Sequence, residues 1–401
     1  MTLGAGWELV GEHRLGYKHA APLDPARRWM ISRGRPVVMT TRVALQHDTP
    51  LPLRYRRDVV QQIVDCILAG DSCALVGMSS IGKSNLFRFF LRPDVHDNYF
   101  GDQAGSLACV YVDGNALSEL SEFGVYELLL RRMRNDIALI ARDPQLSHQA
   151  QSFHQAAIAS ESRLMAQQGF ADLSRLLSGQ FGLRIAFFFD EFDELLEHLD
   201  QRFFLNLRSI RDEFKYKICY VVATRRAPER VREDVAQRCE AFYELLALNV
   251  FGLKPYSRVD ALDMITRLSR RYRLVLSTQD EESIATVTAG HPGLIAAVFE
   301  HARREGVPRG VANGLDRYLQ DMLVLEECRK IWLSIDPDEQ HALIDLAHGR
   351  TSNGESNYVL DYLEVKGLIG RNDGTGKMAI FSTIFERYVV QYGSPENVDP
   401  P

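Results

Sequence analysis

No apolar run in this chain of 401 residues approaches the roughly eighteen consecutive residues of a membrane-spanning helix, and the N-terminus lacks the apolar core of a secretory leader. A cytoplasmic location with no membrane partner is the expectation. Paired cysteines are missing too: the six cysteines stand singly, with no C-x-x-C pair and no histidine at metal-ligand spacing. They are expected to be reduced core residues, which excludes a disulfide framework and a zinc site. Nor is there an excess of positive charge. With 47 Lys and Arg against 53 Asp and Glu, the formal net charge is −6, so the surface as a whole is not built for nucleic acid, although a local patch is compatible with it. No solenoid or propeller repeat is visible. The composition, 46% hydrophobic and 25% charged, is that of a globular protein long enough for two or three domains.

Against these absences stands the stretch CALVGMSSIGKSNL, residues 73–86. A short apolar strand feeds Gly77-Met78-Ser79-Ser80-Ile81-Gly82-Lys83-Ser84, and a helix-like LFRFFL follows. This is G-x-x-x-x-G-K-[ST] in the strand-to-helix setting that a phosphate-binding loop requires. Glycines allow the tight turn, so that backbone N–H groups of Ser79, Ser80, Ile81, Gly82 and Asn85 and the helix N-terminus face the phosphates. Lys83 would reach the β- and γ-phosphates, and the Ser84 hydroxyl would ligate Mg²⁺. Chance would produce the pattern in roughly one or two per cent of chains this long. A glycine-rich turn is therefore the weaker reading.

The second informative stretch is RIAFFFDEFDEL, residues 184–195. Residues 185–189 are all apolar, as in a strand buried on both faces of a parallel sheet, and Asp190 and Glu191 stand at its C-terminal end, where ligands bind in open α/β sheets. Asp190 would hold Mg²⁺, and Glu191 would orient and polarise the attacking water. Asp193 and Glu194 read equally well as caps of the following helix. A third strand, 218–223, ends in Thr224-Arg225-Arg226. Thr224 would bond the γ-phosphate or the water, and Arg225 would neutralise charge developing there; a solvated charged turn is the plain alternative.

Around these strands the periodicity predicts helices over 58–69, 119–141, 149–177 and 202–214, a strand over 107–112, and a loop from Arg92-Pro93 to Gly105. Further on it predicts helices over 257–274, 280–289, 293–304 and 314–333, with Thr278 and Glu281 in capping-box spacing. Gly290 to Gly293 is the turn between two of them, and needs no role beyond that. Residues 337–347 and 355–366 read as helices before a hairpin, 368–371 and 377–382, joined by Asn-Asp-Gly-Thr-Gly. The helix over 355–366 carries Glu355, Asp361 and Glu364 against one Lys, which favours a docking module over a reader of DNA. Residues 1–52 are rich in Gly, Pro and Arg, with Arg27, Arg28, Arg33, Arg35 and Arg42 around Trp29 and a strand-like run at 37–45. They read as a lead-in packed on the next domain, or as a basic arm.

The phosphate loop, the strand ending Asp190-Glu191 and the strand ending Ala223-Thr224-Arg225 resemble the Walker A, Walker B and sensor-1 elements of AAA+ and STAND ATPases. Asn249-Val-Phe-Gly-Leu-Lys-Pro-Tyr-Ser resembles the entry into their helical lid. Gly290-His291-Pro292-Gly293 resembles the G-x-P motif of STAND proteins, which implies that Pro292 lies near the adenine. Asp190-Glu191-Phe192-Asp193 is also similar to origin-recognition-type initiator ATPases. Phe381-Ser-Thr-Ile-Phe-Glu stands where many STAND proteins carry Met-His-Asp, and Arg238 is the candidate for an intersubunit arginine finger.

The expected architecture is an α/β P-loop NTPase, a parallel sheet flanked by helices, followed by a helical lid and a C-terminal winged-helix-like module. Its expected divisions are a basic segment at 1–52, the ATPase core at 53–250, the lid at 251–318, the winged-helix-like domain at 319–395 and a tail at 396–401. ATP or ADP with Mg²⁺ is the expected cofactor. The expected function is a slow ATP-hydrolysing switch coupled to a protein partner, with an oligomer admitted in the ATP state; the alternative is an oligomeric AAA+-type ATPase acting with DNA.

Overall fold

The computed structural model describes residues 50–307, 311–350, 357–371 and 377–393. The arginines of the N-terminal segment, the strand-like run at 37–45, Glu355, the hairpin turn at 372–376 and the tail lie outside the described residues.

Five parallel strands form the central sheet: β1 (Cys73–Val76), β2 (Leu107–Asp113), β3 (Arg184–Asp190), β4 (Ile218–Thr224) and β5 (Val250–Gly252). Their spatial order is β2-β3-β4-β1-β5. β4 therefore lies between the strand of the phosphate loop and the strand of the carboxylates. The register aligns Val76 with Thr224 and Asp113 with Asp190, so that four strands end along one edge. Every residue of β1 and β4 is buried, as continuous apolar runs in a parallel sheet require.

Alternation along the strands separates two cores. Phe188, Ala186, Leu75 and Cys73 face one side, where α1 (Arg57–Ala69), α2 (Lys83–Phe89) and α3 (Pro93–Phe100) pack. Phe87 and Phe90 meet the Phe188 ring there at 5.2 and 5.1 Å. Ile185, Phe187, Phe189 and Tyr220 face the other side, which is covered by α4 (Glu122–Asp136), α5 (Ala138–Arg142), α6 (Pro144–Ser160), α7 (Arg163–Arg175), α8 (Phe192–His198), α9 (Gln201–Glu213), α10 (Pro228–Val231), α11 (Glu233–Arg238) and α12 (Glu240–Ala247).

The first core continues into α13 (Arg258–Tyr272), α14 (Thr278–Thr288) and α15 (Pro292–Glu305), and then α16 (Val311–Leu319) and α17 (Met322–Leu333). The chain finishes with α18 (Pro337–Ala347), α19 (Asn357–Lys366), a hairpin of β6 (Ile369–Arg371) and β7 (Met378–Ile380), and α20 (Thr383–Tyr392). All six cysteines are buried and unpaired, and no helix among the described residues is long and apolar enough to cross a membrane.

Several boundaries differ from the periodicity, each for a local reason. The stretch expected as a loop after Arg92 contains α3, started by Pro93 at its first position, where a missing N–H is harmless. The helix expected over 119–141 begins at a Ser121 cap, whose hydroxyl accepts the Gly124 N–H at 3.0 Å, and breaks at Ile137. That over 149–177 starts earlier, behind Asp143, and breaks at the left-handed Glu161. That over 314–333 is two helices, because the Asp321 carboxylate caps the second through the Leu323 N–H. The capping box is Ser277 with Asp280, one residue before the expected pair. α20 has no counterpart among the expected elements; Ser382 caps it through the Phe385 N–H at 3.3 Å.

Candidate functional site

The loop between β1 and α2 lies at the strand-end edge. Ser80 and Gly82 have φ of 55° and 97°, the left-handed turns that bend the loop, and Gly82 caps α2. A side chain at Gly77 would press on Leu253 Cβ at 3.1 Å and Ile81 Cγ2 at 3.0 Å, so the loop runs close to the β5 exit. The buried Lys83 ammonium donates to the carbonyls of Gly77 and Met78 at 2.8 and 3.2 Å. Burial lowers its pKa, and the carboxylates of Asp193, Glu191 and Asp190 oppose that shift. Ser84 is half-buried one residue on, and Asn85 is exposed.

Asp190 is 2% exposed and held from two sides. Its carboxylate accepts the Tyr111 hydroxyl from β2 at 2.7 Å and the Glu191 N–H at 3.1 Å. Glu191 is left-handed, φ 52°, an unusual state for a non-glycine residue that turns its carboxylate off the strand axis. Burial raises its pKa, with Lys83 and Arg225 opposing and Asp190 reinforcing. Asp193 and Glu194 cap nothing: both Asp193 oxygens accept the Arg225 N–H, at 3.1 and 2.9 Å, and Glu194 accepts the Arg225 guanidinium at 3.1 Å. Arg225 also lies 3.8 Å from Glu191, so it stands among three carboxylates rather than in a solvated turn.

Thr224 is fully buried, its carbonyl accepts the Gly77 N–H at 3.0 Å, and its hydroxyl has no hydrogen-bond partner. An orphaned buried hydroxyl between a phosphate-type loop and two carboxylates fits a phosphate oxygen or a water. Together with Lys83, Ser84 and Asp190 it makes a donor set suited to a nucleotide phosphate and a hard, oxygen-ligated cation such as Mg²⁺.

Residues far from these three strands in sequence also come to the loop. Pro292 Cγ, Tyr55 Oη and Tyr256 Oη lie 4.0, 3.8 and 3.6 Å from where a side chain on Gly82 would begin. The two tyrosine hydroxyls meet at 3.2 Å. Arg56, also left-handed, bonds the carbonyls of Ile81 and Lys254 at 2.7 and 2.6 Å and stands 4.4 Å from the centre of the Tyr256 ring. His291, before Pro292, is fully buried; its Nδ1 accepts the Leu294 N–H, so Nε2 carries the proton and donates to the Ser79 carbonyl at 3.0 Å. The Ser79 N–H donates to the Ser334 hydroxyl at the end of α17, at 3.2 Å. Lid and C-terminal module thus hold the same residue of the loop. Arg238 is exposed on α11 and bonded to Asp234, away from this chain's own cleft, as a finger reaching a neighbouring subunit would be.

No protein-family description matches the chain, and no curated protein matches it in sequence. Among solved structures it is similar to a Walker-type ATPase of Pyrococcus abyssi, 15% identical, with 83% of this chain and 94% of that one covered and a TM-score of 0.51. It is also similar to the ORC2 protein of Aeropyrum pernix in its ADP form, 14% identical over 89% and 97% of the two chains with a TM-score of 0.48. A third is the Aeropyrum pernix ORC1 protein in complex with DNA, 11% identical over 86% and 94% with a TM-score of 0.42. At these identities the likeness speaks for the fold alone: a P-loop NTPase sheet followed by a helical region.

Proposed function

We propose that the cleft binds ATP with Mg²⁺ and hydrolyses it. The observation that carries this is the meeting, at one sheet edge, of the Lys83 loop, the Asp190-Glu191 pair and the unpartnered Thr224 hydroxyl from three different strands. Backbone N–H groups of the loop and Lys83 would hold the phosphates, while Ser84 and Asp190 would hold the cation, Asp190 fixed by Tyr111. Mg²⁺, when bound, would neutralise the charge shared by the β- and γ-phosphates. Glu191 would orient the attacking water, with Thr224 as second anchor. Arg225 would turn from Glu191 and Glu194 towards the γ-phosphate. Tyr55, Tyr256 and Pro292, the last expected near the adenine, are buried beside Gly82, so a purine would reach them only as the lid opens.

The C-terminal module would report the state of the site. Arg226 and Arg230, just after Arg225, reach Asp336, Asp338 and Glu339 at 3.6, 2.7 and 3.8 Å. Tyr362 of α19 donates to Glu229 at 2.9 Å. Movement of Arg225 on gaining or losing a γ-phosphate would therefore pull on the contact with α18 and α19. This serves either functional reading from the sequence, a switch for a protein partner or a DNA-acting oligomer, and the likeness to a Walker-type ATPase supports the step they share. Glu191→Gln tests it: ATP should stay bound while phosphate release falls by about 10²–10³-fold, in the range of a lost general base. Undiminished turnover would place catalysis elsewhere.

A further inference from the structure

A run of arginines lies on the lid, at the end of α13. The sixteen residues 264–279 contain Arg267, Arg270, Arg271 and Arg273 and no Asp or Glu, in a chain whose net charge is −6. They form the C-terminal half of α13 and the turn after it, where Arg273 adopts φ 53° as the helix cap. Arg270, Arg271 and Arg273 are exposed, and Arg267, Arg270 and Arg273 make no ion pair among the described residues. Arg267 and Arg271 are one helical turn apart on the same face, about 6 Å along the axis. Cations favour a helix C-terminus, which accounts for one or two of them. It does not account for Arg303, which comes from α15 to the same place.

At the edge of this arginine stripe, next to Arg271, stands Tyr272, 46% exposed. Arg271 and Arg303 lie 5.6 and 5.7 Å from the centre of its ring, and the buried Phe299 supports it from beneath at 6.0 Å. Glu300, bonded to Arg303, is the acidic group set into this face. All five cations are arginine, the side chain that matches phosphate oxygens in a planar fork, and the ring at the edge of the stripe offers a face to a base.

We infer that this lid face binds a single-stranded nucleic acid, with Arg267, Arg270 and Arg273 on its phosphates and Tyr272 against an unpaired base. The inference goes beyond ATP hydrolysis and does not depend on it, because none of these residues touches the phosphate loop, Asp190 or Glu191. It gives the DNA-acting reading a surface of its own. α19 does not supply one: its single lysine, Lys366, is buried and bonded to Glu339.

Fluorescence anisotropy of a labelled 30-nucleotide DNA of mixed sequence, titrated with the full chain from 50 to 200 mM salt, tests this. The paired change Arg270→Glu with Arg273→Glu should weaken binding at least ten-fold and lower the slope of log K against log salt by about 1.4, two phosphate contacts on a single strand. Tyr272→Ser should cost several-fold with an unchanged slope. Melting temperature and ATP turnover should stay at the wild-type level in each variant, which separates failure here from failure of the ATPase reading. The milder pair Arg270→Gln with Arg273→Gln repeats the test should the reversal unfold the lid. Equal affinity and slope in variants and wild type would overturn the inference. So would binding to anionic phospholipid vesicles or poly-glutamate with no binding to the oligonucleotide.

Discussion

Arg225 and Arg230 are five residues apart at the end of one strand, and they answer to different parts of the molecule. Arg225 is held by Asp193 and Glu194 of the α8 segment, beside Glu191, all within the sheet core. Arg230 is held by Asp336, Asp338 and Glu339, over a hundred residues further along the chain, and its guanidinium stands 5.5 and 5.8 Å from the rings of Tyr362 and Tyr358. Under the proposed function the first cluster would act on a phosphate and the second would transmit. Behind the second lies a fully enclosed pair, Lys366 with Glu339 at 2.6 Å, while one oxygen of Asp336 and one nitrogen of Arg230 are buried without a hydrogen bond. The second cluster is thus incompletely satisfied, which is costly in a low-dielectric interior.

This contrast can be broken from either side. The largest effect is expected from Lys366→Met, which strands the Glu339 carboxylate in the interior: a loss of about 3–5 kcal/mol in urea unfolding, with little change in ATP affinity. A stability loss below about 1 kcal/mol would mean that Arg230 alone can satisfy Glu339. On the other side, Lys83→Ala should weaken ATP binding on the order of 100-fold, about 3 kcal/mol of charge-assisted contact, while the melting temperature of the nucleotide-free protein stays put. Calorimetry showing unchanged affinity would remove the phosphate-loop assignment.

Smaller effects sharpen the link between the two sides. Arg230→Ala should release the C-terminal module by about 1 kcal/mol, the worth of a partly exposed pair, and speed ADP release several-fold in a stopped-flow chase. An unchanged off-rate would show that the module does not gate the site. The pH dependence involves His291, whose pKa burial holds at about 3, far below the ordinary 6.5. Between those values the unfolded chain binds the extra proton, so this residue's contribution is complete above pH 6.5 and declines as the pH falls through that window. The melting temperature should accordingly drop less between pH 7.5 and 5 in His291→Gln than in wild type; parallel curves would free His291 from the role.

What could be read without the structure was local. The phosphate loop, the run ending Asp190-Glu191 and the strand ending Thr224 are each contiguous patterns, and their chemistry follows from residue type and spacing. The contacts that close over them are not local. The Ser79–Ser334 and Ser79–His291 bonds join residues 255 and 212 positions apart, and a serine or histidine in a helical context carries no mark of such a partner. Tyr55 and Tyr256 are legible only once both stand beside Gly82. Asp193 shows the opposite error: its place early in α8 suggests a cap, and only the β4 position reveals the Arg225 N–H as its partner. α20 escaped because its sequence, TIFERYVVQY, is rich in β-branched and aromatic residues, and tertiary packing on α14 and α16 decides its state.

The most direct measurement is hydrogen exchange of residues 325–340 with Mg²⁺ and either ADP or a non-hydrolysable ATP analogue. If the γ-phosphate is read by Arg225 and passed through Arg230, amide protection at the end of α17 and the start of α18 should fall with the analogue and hold with ADP. Identical protection in both states, with both nucleotides bound, would contradict the coupling of the two clusters.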